Sequence, residues 1–294
     1  VGLAFDTFSG NASTKGERLI LGNDGKMEFR APASTAFHMG GVNLNKYQTV
    51  YNRGLVDMYG SDSIGIKMAN SSLNGYTPSI NLINTKILME TPINMHGDKS
   101  IGAYITLHMM KAEDSIFKIN IGTEGNSYGG NIDGNNPDYV ENSVGMYLRA
   151  VNTDSYANLI LKDYDIKLGD KARESVLFFN EGTNSYNRVS GTYNYKGEST
   201  LDNSMVQSIN VDAGEDNMVI YNSGSIINSE YSSVPIINIK PDIKIGTESK
   251  PVDGTIAIYN TGGIAHLTGD IETYGESSHA VYNDSVSKVV GTVT

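Results

Sequence analysis

The chain has 294 residues, 39% of them hydrophobic, with Gly 32, Pro 7, no Cys, no Trp and a formal net charge of −11. No Lys/Arg cluster interrupts that acidic balance, so the basic footprint of a nucleic-acid binder is missing, and no apolar run approaches the ~18 residues that span a bilayer as a helix. Abundant Ile, Val, Thr and Tyr favour pleated, half-buried surfaces, and Gly and Asn supply turns between them, so an all-β chain is expected. The lack of cysteine is compatible with a solenoid, which stacks its own core without disulfides.

The first 48 residues read as further coils or a differently built flank. Arg18-Leu19-Ile20-Leu21-Gly22 and Lys26-Met27-Glu28-Phe29-Arg30 form two strands around an Asn-Asp-Gly turn. Next, Thr49-Val50-Tyr51-Asn52-Arg53-Gly54 resembles Ala257-Ile258-Tyr259-Asn260-Thr261-Gly262 farther on. Ser63-Ile64-Gly65-Ile66 opens a phrase that then recurs as Ser100-Ile101-Gly102-Ala103-Tyr104, Ser143-Val144-Gly145-Met146-Tyr147 and Ser175-Val176-Leu177-Phe178-Phe179-Asn180. Its later copies are Asn217-Met218-Val219-Ile220-Tyr221-Asn222, Thr255-Ile256-Ala257-Ile258-Tyr259-Asn260 and Ser278-His279-Ala280-Val281-Tyr282-Asn283.

A second phrase alternates with the first. It runs Ile93-Asn94-Met95-His96-Gly97, Ile119-Asn120-Ile121-Gly122, Ile166-Lys167-Leu168-Gly169, Ile209-Asn210-Val211, Ile243-Lys244-Ile245-Gly246 and Ile271-Glu272-Thr273. Each copy is an apolar–polar–apolar strand, most of them closed by glycine. The unit is therefore strand, turn, strand, connector. Successive first phrases lie 43, 32, 38 and 23 residues apart at Ser100/Ser143, Ser143/Ser175, Asn217/Thr255 and Thr255/Ser278. The shortest step is close to one bare turn of a β-helix, and the longer ones are the same turn with loops at the corners. About eight to ten coils at the ~4.8 Å strand spacing predict a rod roughly 40–50 Å long.

The first phrase admits both parities. Ile at its second and fourth positions argues that these face inward, whereas His279 at the second position and small residues at the third argue the opposite. Asn180, Asn222, Asn260, Asn283 and Asn52 suit turns, and on stacked coils they would form an amide ladder.

Residues 123–142 and 181–207 break the rhythm and read as inserted loops. Their mixture of Tyr, Ser, Gly and Asn is that of adaptable binding surfaces, with ordinary solvated excursions as the competing reading. Tyr186, Tyr193, Tyr195, Tyr128 and Tyr139 are the candidate contact residues.

These degenerate phrases, over residues 49–294, resemble the passengers of type V autotransporters, most of all large fusobacterial adhesins. The resemblance implies a right-handed parallel β-helix held outside the cell by an outer-membrane barrel that is not in this chain, with 1–294 a single segment of a longer passenger. It implies adhesion to host cells or other bacteria through a glycan or protein receptor. The rest of the passenger would stack on both ends, and the segment would be a monomer. The matched motifs are scaffold, so no functional residue is carried over.

Enzymes that use β-helices need more than is present. Asn152-Thr153-Asp154 mimics one polygalacturonase motif without its companions. Asp133, Asp138 and Glu141 are the nearest acid group to the calcium cluster a pectate lyase needs, and Gly129-Gly130-Asn131-Ile132-Asp133 resembles one isolated unit of a calcium-binding repeat, which acts in stacked series. No subtilisin-type nucleophile segment occurs, and His38, His96, His108, His266 and His279 lack metal-ligand spacing. The expectation is a non-enzymatic adhesin without cofactor or metal. A non-binding spacer and a polysaccharide-active enzyme whose acids converge only in three dimensions are the alternatives.

Overall fold

A strand that alternates apolar and polar side chains buries one face only, and stacking like strands in parallel aligns those faces into one core while each backbone completes its neighbour's hydrogen bonds. The computed structural model describes residues 1–6, 18–40, 47–69, 85–107, 109–123, 139–150, 157–181, 197–228, 231–233, 235–284 and 288–291, and it has this form. The first file of strands is Leu3–Asp6, Thr35–Gly40, Ile64–Ala69, Ile101–Leu107, Val144–Ala150, Val176–Glu181, Met218–Ser223, Ile256–Thr261 and His279–Asn283, nine among the described residues and parallel throughout. Nine coils at the usual strand spacing make a rod roughly 40 Å long. The fold is a parallel β-solenoid, as expected from the phrases.

The second file begins with Arg18–Asn23, Tyr47–Asn52 and Thr85–Met89. It continues through the first parts of Met109–Ile121 and Ala157–Leu168 into Gly197–Leu201, Ile236–Ile239, Ile264–Leu267 and Lys288–Val290. The third file contains the second phrase: Lys26–Phe29, Leu55–Met58, Ile93–Met95, the last parts of the two long strands, then Ser208–Val211, Asp242–Ile245 and Ile271–Thr273. Its inward columns are Val56, Ile93, Ile119 and Ile166, beside Met58, Met95, Ile121 and Leu168, in register from coil to coil. The Tyr51–Asn52 segment belongs to the second file and its look-alike at Tyr259–Asn260 to the first, so the two match as strand ends before a corner and not as equivalent rungs.

In the first phrase neither simple parity holds. The third, fourth and sixth positions are buried and the second and fifth half-exposed, as in Ile256–Thr261. The ladder skips the third residue: Met218 pairs with Ile256, and the next partners are Ile220 and Ile258. A bend there turns two consecutive side chains inward. It is tight enough in the third to fifth coils to demand glycine. A Cβ on Gly102 would lie 2.4 Å from Ile119 Cγ2 and 2.6 Å from the Gly145 carbonyl oxygen.

The residue before the phrase makes the corner. Ala33, Asp62, Lys99, Asn142, Glu174, Asp216 and Ser277 all have φ between 48° and 57°, and Gly254 has φ +66°. The first side chain then ties coils together: Ser63 Oγ accepts from the Ser34 amide at 3.2 Å, Ser100 from Ser63 at 3.2 Å, Ser143 from Ser100 at 3.1 Å and Ser175 from Ser143 at 3.1 Å. The phrase-ending asparagines lie inside strands, with Asn180, Asn222 and Asn260 buried, so the left-handed turn falls at the other end of the phrase. They do form the expected ladder: Asn180 Nδ2 donates to Asn222 Oδ1 at 2.7 Å, Asn222 to Asn260 at 2.8 Å and Asn260 to Asn283 at 2.7 Å. Asn23 and Asn52 make a second, shorter one at 2.8 Å.

Candidate functional site

The fifth position of the first phrase points out of the solenoid, and register places its copies over one another. His38, Lys67, Tyr104, Tyr147, Phe179, Tyr221, Tyr259 and Tyr282 succeed each other along the first file. The last six form an unbroken row of rings. Tyr104/Tyr147, Phe179/Tyr221 and Tyr259/Tyr282 are stacked, with centroids 4.8, 4.8 and 4.5 Å apart. The junctions between these doublets, Tyr147/Phe179 and Tyr221/Tyr259, are edge-on at 5.2 Å, with the planes turned by 90° and 88°. Offset and T-shaped pairs at these distances are the geometries the ring quadrupole favours.

The row is amphipathic. Its rings are half-buried except Tyr282, which is 48% exposed, and five of the six carry a phenol. Tyr147 Oη donates to the Glu181 carboxylate, whose other neighbour is Arg149 Nε at 3.5 Å. Burial first, and the carboxylate second, push the Tyr147 phenol above its ordinary value; burial and then Tyr282 and Tyr221 do the same for Tyr259. These phenols stay protonated at neutral pH and act as hydrogen-bond partners, not as acids or bases.

Of the residues singled out from sequence, Tyr186, Tyr193, Tyr195 and Tyr128 lie outside the described residues. Tyr139 stands just before the short strand Val140–Glu141, with the Arg173 guanidinium 5.5 Å over its ring. Arg173 is held in turn by Asp216 at 3.5 Å and Glu215 at 3.8 Å. Tyr139 is thus a half-buried corner residue, and the structure does not bring it into the ring row.

A second polar cluster sits on the third file. Asp57 is only 1% exposed; its Oδ1 accepts from Asn94 Nδ2 at 2.9 Å and lies 3.5 Å from His96 Nε2, and its Oδ2 has no hydrogen-bond partner. His96 stacks on Tyr59 at 4.8 Å, and burial lowers its pKa by more than Asp57 raises it. Neutral His96 braces the coil junction. Among the described residues no three His, Asp or Glu side chains are grouped to hold a metal ion.

The ring row was visible in sequence as the tyrosine or phenylalanine at the fifth place of the last six phrase copies, but there it served only to mark the repeat. Finding it as a surface required the coil-to-coil register, which the uneven spacing hides. Comparison of the chain with protein-family models, with curated proteins and with solved structures found no match.

Proposed function

We propose that this chain is an extracellular adhesin segment of the autotransporter-passenger type, making non-covalent contact with a glycan or protein receptor on a host cell or another bacterium. The observation that carries the reading is the row from Tyr104 to Tyr282: six aromatic rings in register on a rigid sheet. Tyr combines large apolar area with a hydroxyl at low entropic cost, which suits it to recognition surfaces. A rigid β-sheet holds the rings in place without ordering on contact, so little conformational entropy opposes binding.

The test is the paired substitution Tyr221→Ser with Tyr259→Ser, measured as attachment of the purified chain to host-cell membranes and to a glycan array. A fall of about tenfold or more is expected, since the loss of two central aromatic anchors costs upward of about 1.4 kcal/mol of binding. Thermal unfolding of the same variant controls for the stacking it removes. Attachment at the original level in a folded variant would favour the second reading, a non-binding spacer. That reading has its own support: stacked doublets 4.5–4.8 Å apart already satisfy one another as cross-strand pairs.

A further inference from the structure

Among the described residues the third file is broken once. Strand Ala157–Leu168 pairs with Met109–Ile121 below it along its whole last part, from Asp163 to Leu168. Above it, pairing with Gly197–Leu201 stops at Leu161. Ser208–Val211 starts a separate three-stranded sheet with Asp242–Ile245 and Ile271–Thr273 above. The cause is local. Six residues, 202–207, separate Leu201 from Ser208, where the next coil needs only Lys240 and Pro241 between Ile239 and Asp242. The wall closes again on both sides of the break: the Asp202 amide donates to the Leu161 carbonyl at 2.8 Å, and the Glu215 amide to the Ala172 carbonyl at 3.2 Å.

What remains is a slot of about 220 Å³, lined by Ile166, Leu168, Phe178, Val206, Ser208 and Ile209 among others. In a parallel ladder alternate residues turn their N–H and C=O to opposite neighbours. Gly169 N–H donates down to the Ile121 carbonyl at 2.8 Å, and Asp242 N–H donates to the Gln207 carbonyl at 3.1 Å. Those two bonds fix the phase. The backbone groups of Tyr164, Ile166 and Leu168 point up into the slot and those of Ser208 and Asn210 point down into it, and no strand pairing among the described residues covers either edge. The core columns are also wetter here: Ile166, Leu168 and Ile209 are 6%, 4% and 4% exposed, against 0% for Ile119, Ile121, Ile243 and Ile245 in the adjoining coils.

We propose that this slot binds an extended peptide segment by strand addition, with apolar side chains two residues apart and an acidic residue between them. Two facing edges of backbone donors and acceptors above apolar columns match a polypeptide strand, which carries the complementary groups at the same spacing. The acidic preference follows from the outward column, where an incoming central residue stands beside Lys167 and would share its ammonium with Asp165, now 3.3 Å from it. Within the solenoid, Lys244 meets Glu272 of the next coil in that relation at 3.8 Å. This site is independent of the ring row, and its failure would leave the adhesin reading untouched.

The probe is a fluorescent peptide with the sequence of residues 269–275 (Gly-Asp-Ile-Glu-Thr-Tyr-Gly), titrated into the whole chain with hydrogen exchange followed residue by residue. In the free protein the amides of Ile166, Leu168, Ser208 and Asn210 should exchange much faster than those of Ile119 and Ile243, and saturating peptide should slow them at least tenfold. Asn210→Pro removes a donor that faces the slot and leaves the pairing with Asp242–Ile245 intact, since proline is tolerated where the N–H is unpaired. It should weaken the peptide at least tenfold while the ladder above stays protected. Slot amides already protected without peptide, protection unchanged on its addition, or equal affinity for Asn210→Pro would each overturn the proposal.

Discussion

Replacing Asn222 by alanine tests the buried amide ladder at its centre. The side chain is 0% exposed, its Oδ1 accepts from Asn180 Nδ2 at 2.7 Å, and its Nδ2 donates to Asn260 Oδ1 at 2.8 Å and to the Pro235 carbonyl at 3.4 Å. Removing it leaves Asn180 Nδ2 with only the 3.5 Å contact to the Ile236 carbonyl, while Asn180 Oδ1 keeps the Ser199 hydroxyl at 2.7 Å, and takes one donor from Asn260 Oδ1. A buried polar group stranded in this way costs about 1–3 kcal/mol, so two of them put the expected loss near 3 kcal/mol. Urea unfolding followed by circular dichroism measures the total, and hydrogen exchange in the coils holding Asn180 and Asn260 shows that the loss is local, as it should be in a solenoid whose units contact only their neighbours. The double variant Asn180→Ala with Asn222→Ala should cost about 1–2 kcal/mol less than the two single losses added, because it deletes one of the stranded groups along with its partner. A loss under about 1 kcal/mol for Asn222→Ala, with strict additivity in the pair, would show that the ladder is incidental to stability.

Two further outcomes are expected. Glu174 holds φ at 48°, a region where a Cβ costs roughly 1–2 kcal/mol, so Glu174→Gly should raise the thermal midpoint slightly after glycine's own entropic cost, whereas Glu174→Val should lower it. Asp202 is held at a pKa of about 2, first by the Lys240 ammonium at 2.9 Å and then by the Ser204 amide, against an ordinary value of 3.8. Its folded value lies below its unfolded one, so the stabilisation is complete above about pH 4 and disappears as pH falls toward 2. With Lys240 42% exposed, screening leaves about 1 kcal/mol of it, and Asp202→Asn should flatten the urea midpoint between pH 4 and 2 by that amount.

The architecture was legible because each coil repeats its local chemistry. An Ile-x-Ile strand closed by glycine, followed by a serine-led phrase, marks the same two rungs in most coils. Parity was not legible, since a strict two-residue alternation cannot describe a strand that bends at its third residue and drops that residue from the ladder. The left-handed corner also escaped notice: Ala33, Lys99 and Glu174 are not residues whose chemistry announces a positive φ. Four of the five tyrosines singled out by composition lie outside the described residues, whereas a row of rings needs neighbours held in line. Strand register does that for Tyr221 and Tyr259.

The position of the slot follows from a change of pattern along the stack. At the sixth place of the first phrase the inward column is Met39, Met68, Ile105 and Leu148, and then Asn180, Asn222, Asn260 and Asn283. At the third place Gly65, Gly102 and Gly145 give way to Leu177, Val219 and Ala257. Both columns switch between the fifth and sixth coils. Within a block the sixth place stays aliphatic or stays amide, whereas at the boundary an aliphatic leucine abuts an amide and a glycine abuts a leucine. Stability in a solenoid is a sum of coil and neighbour-interface terms, so the interface with the poorest match is where an insertion is least costly. Residues 202–207 fall there, and the third file parts at the same boundary. The ring row crosses that boundary unbroken, with Tyr147 edge-on to Phe179 at 5.2 Å, and together with the serine ladder it keeps the two blocks in one register on the first file while the third stands open.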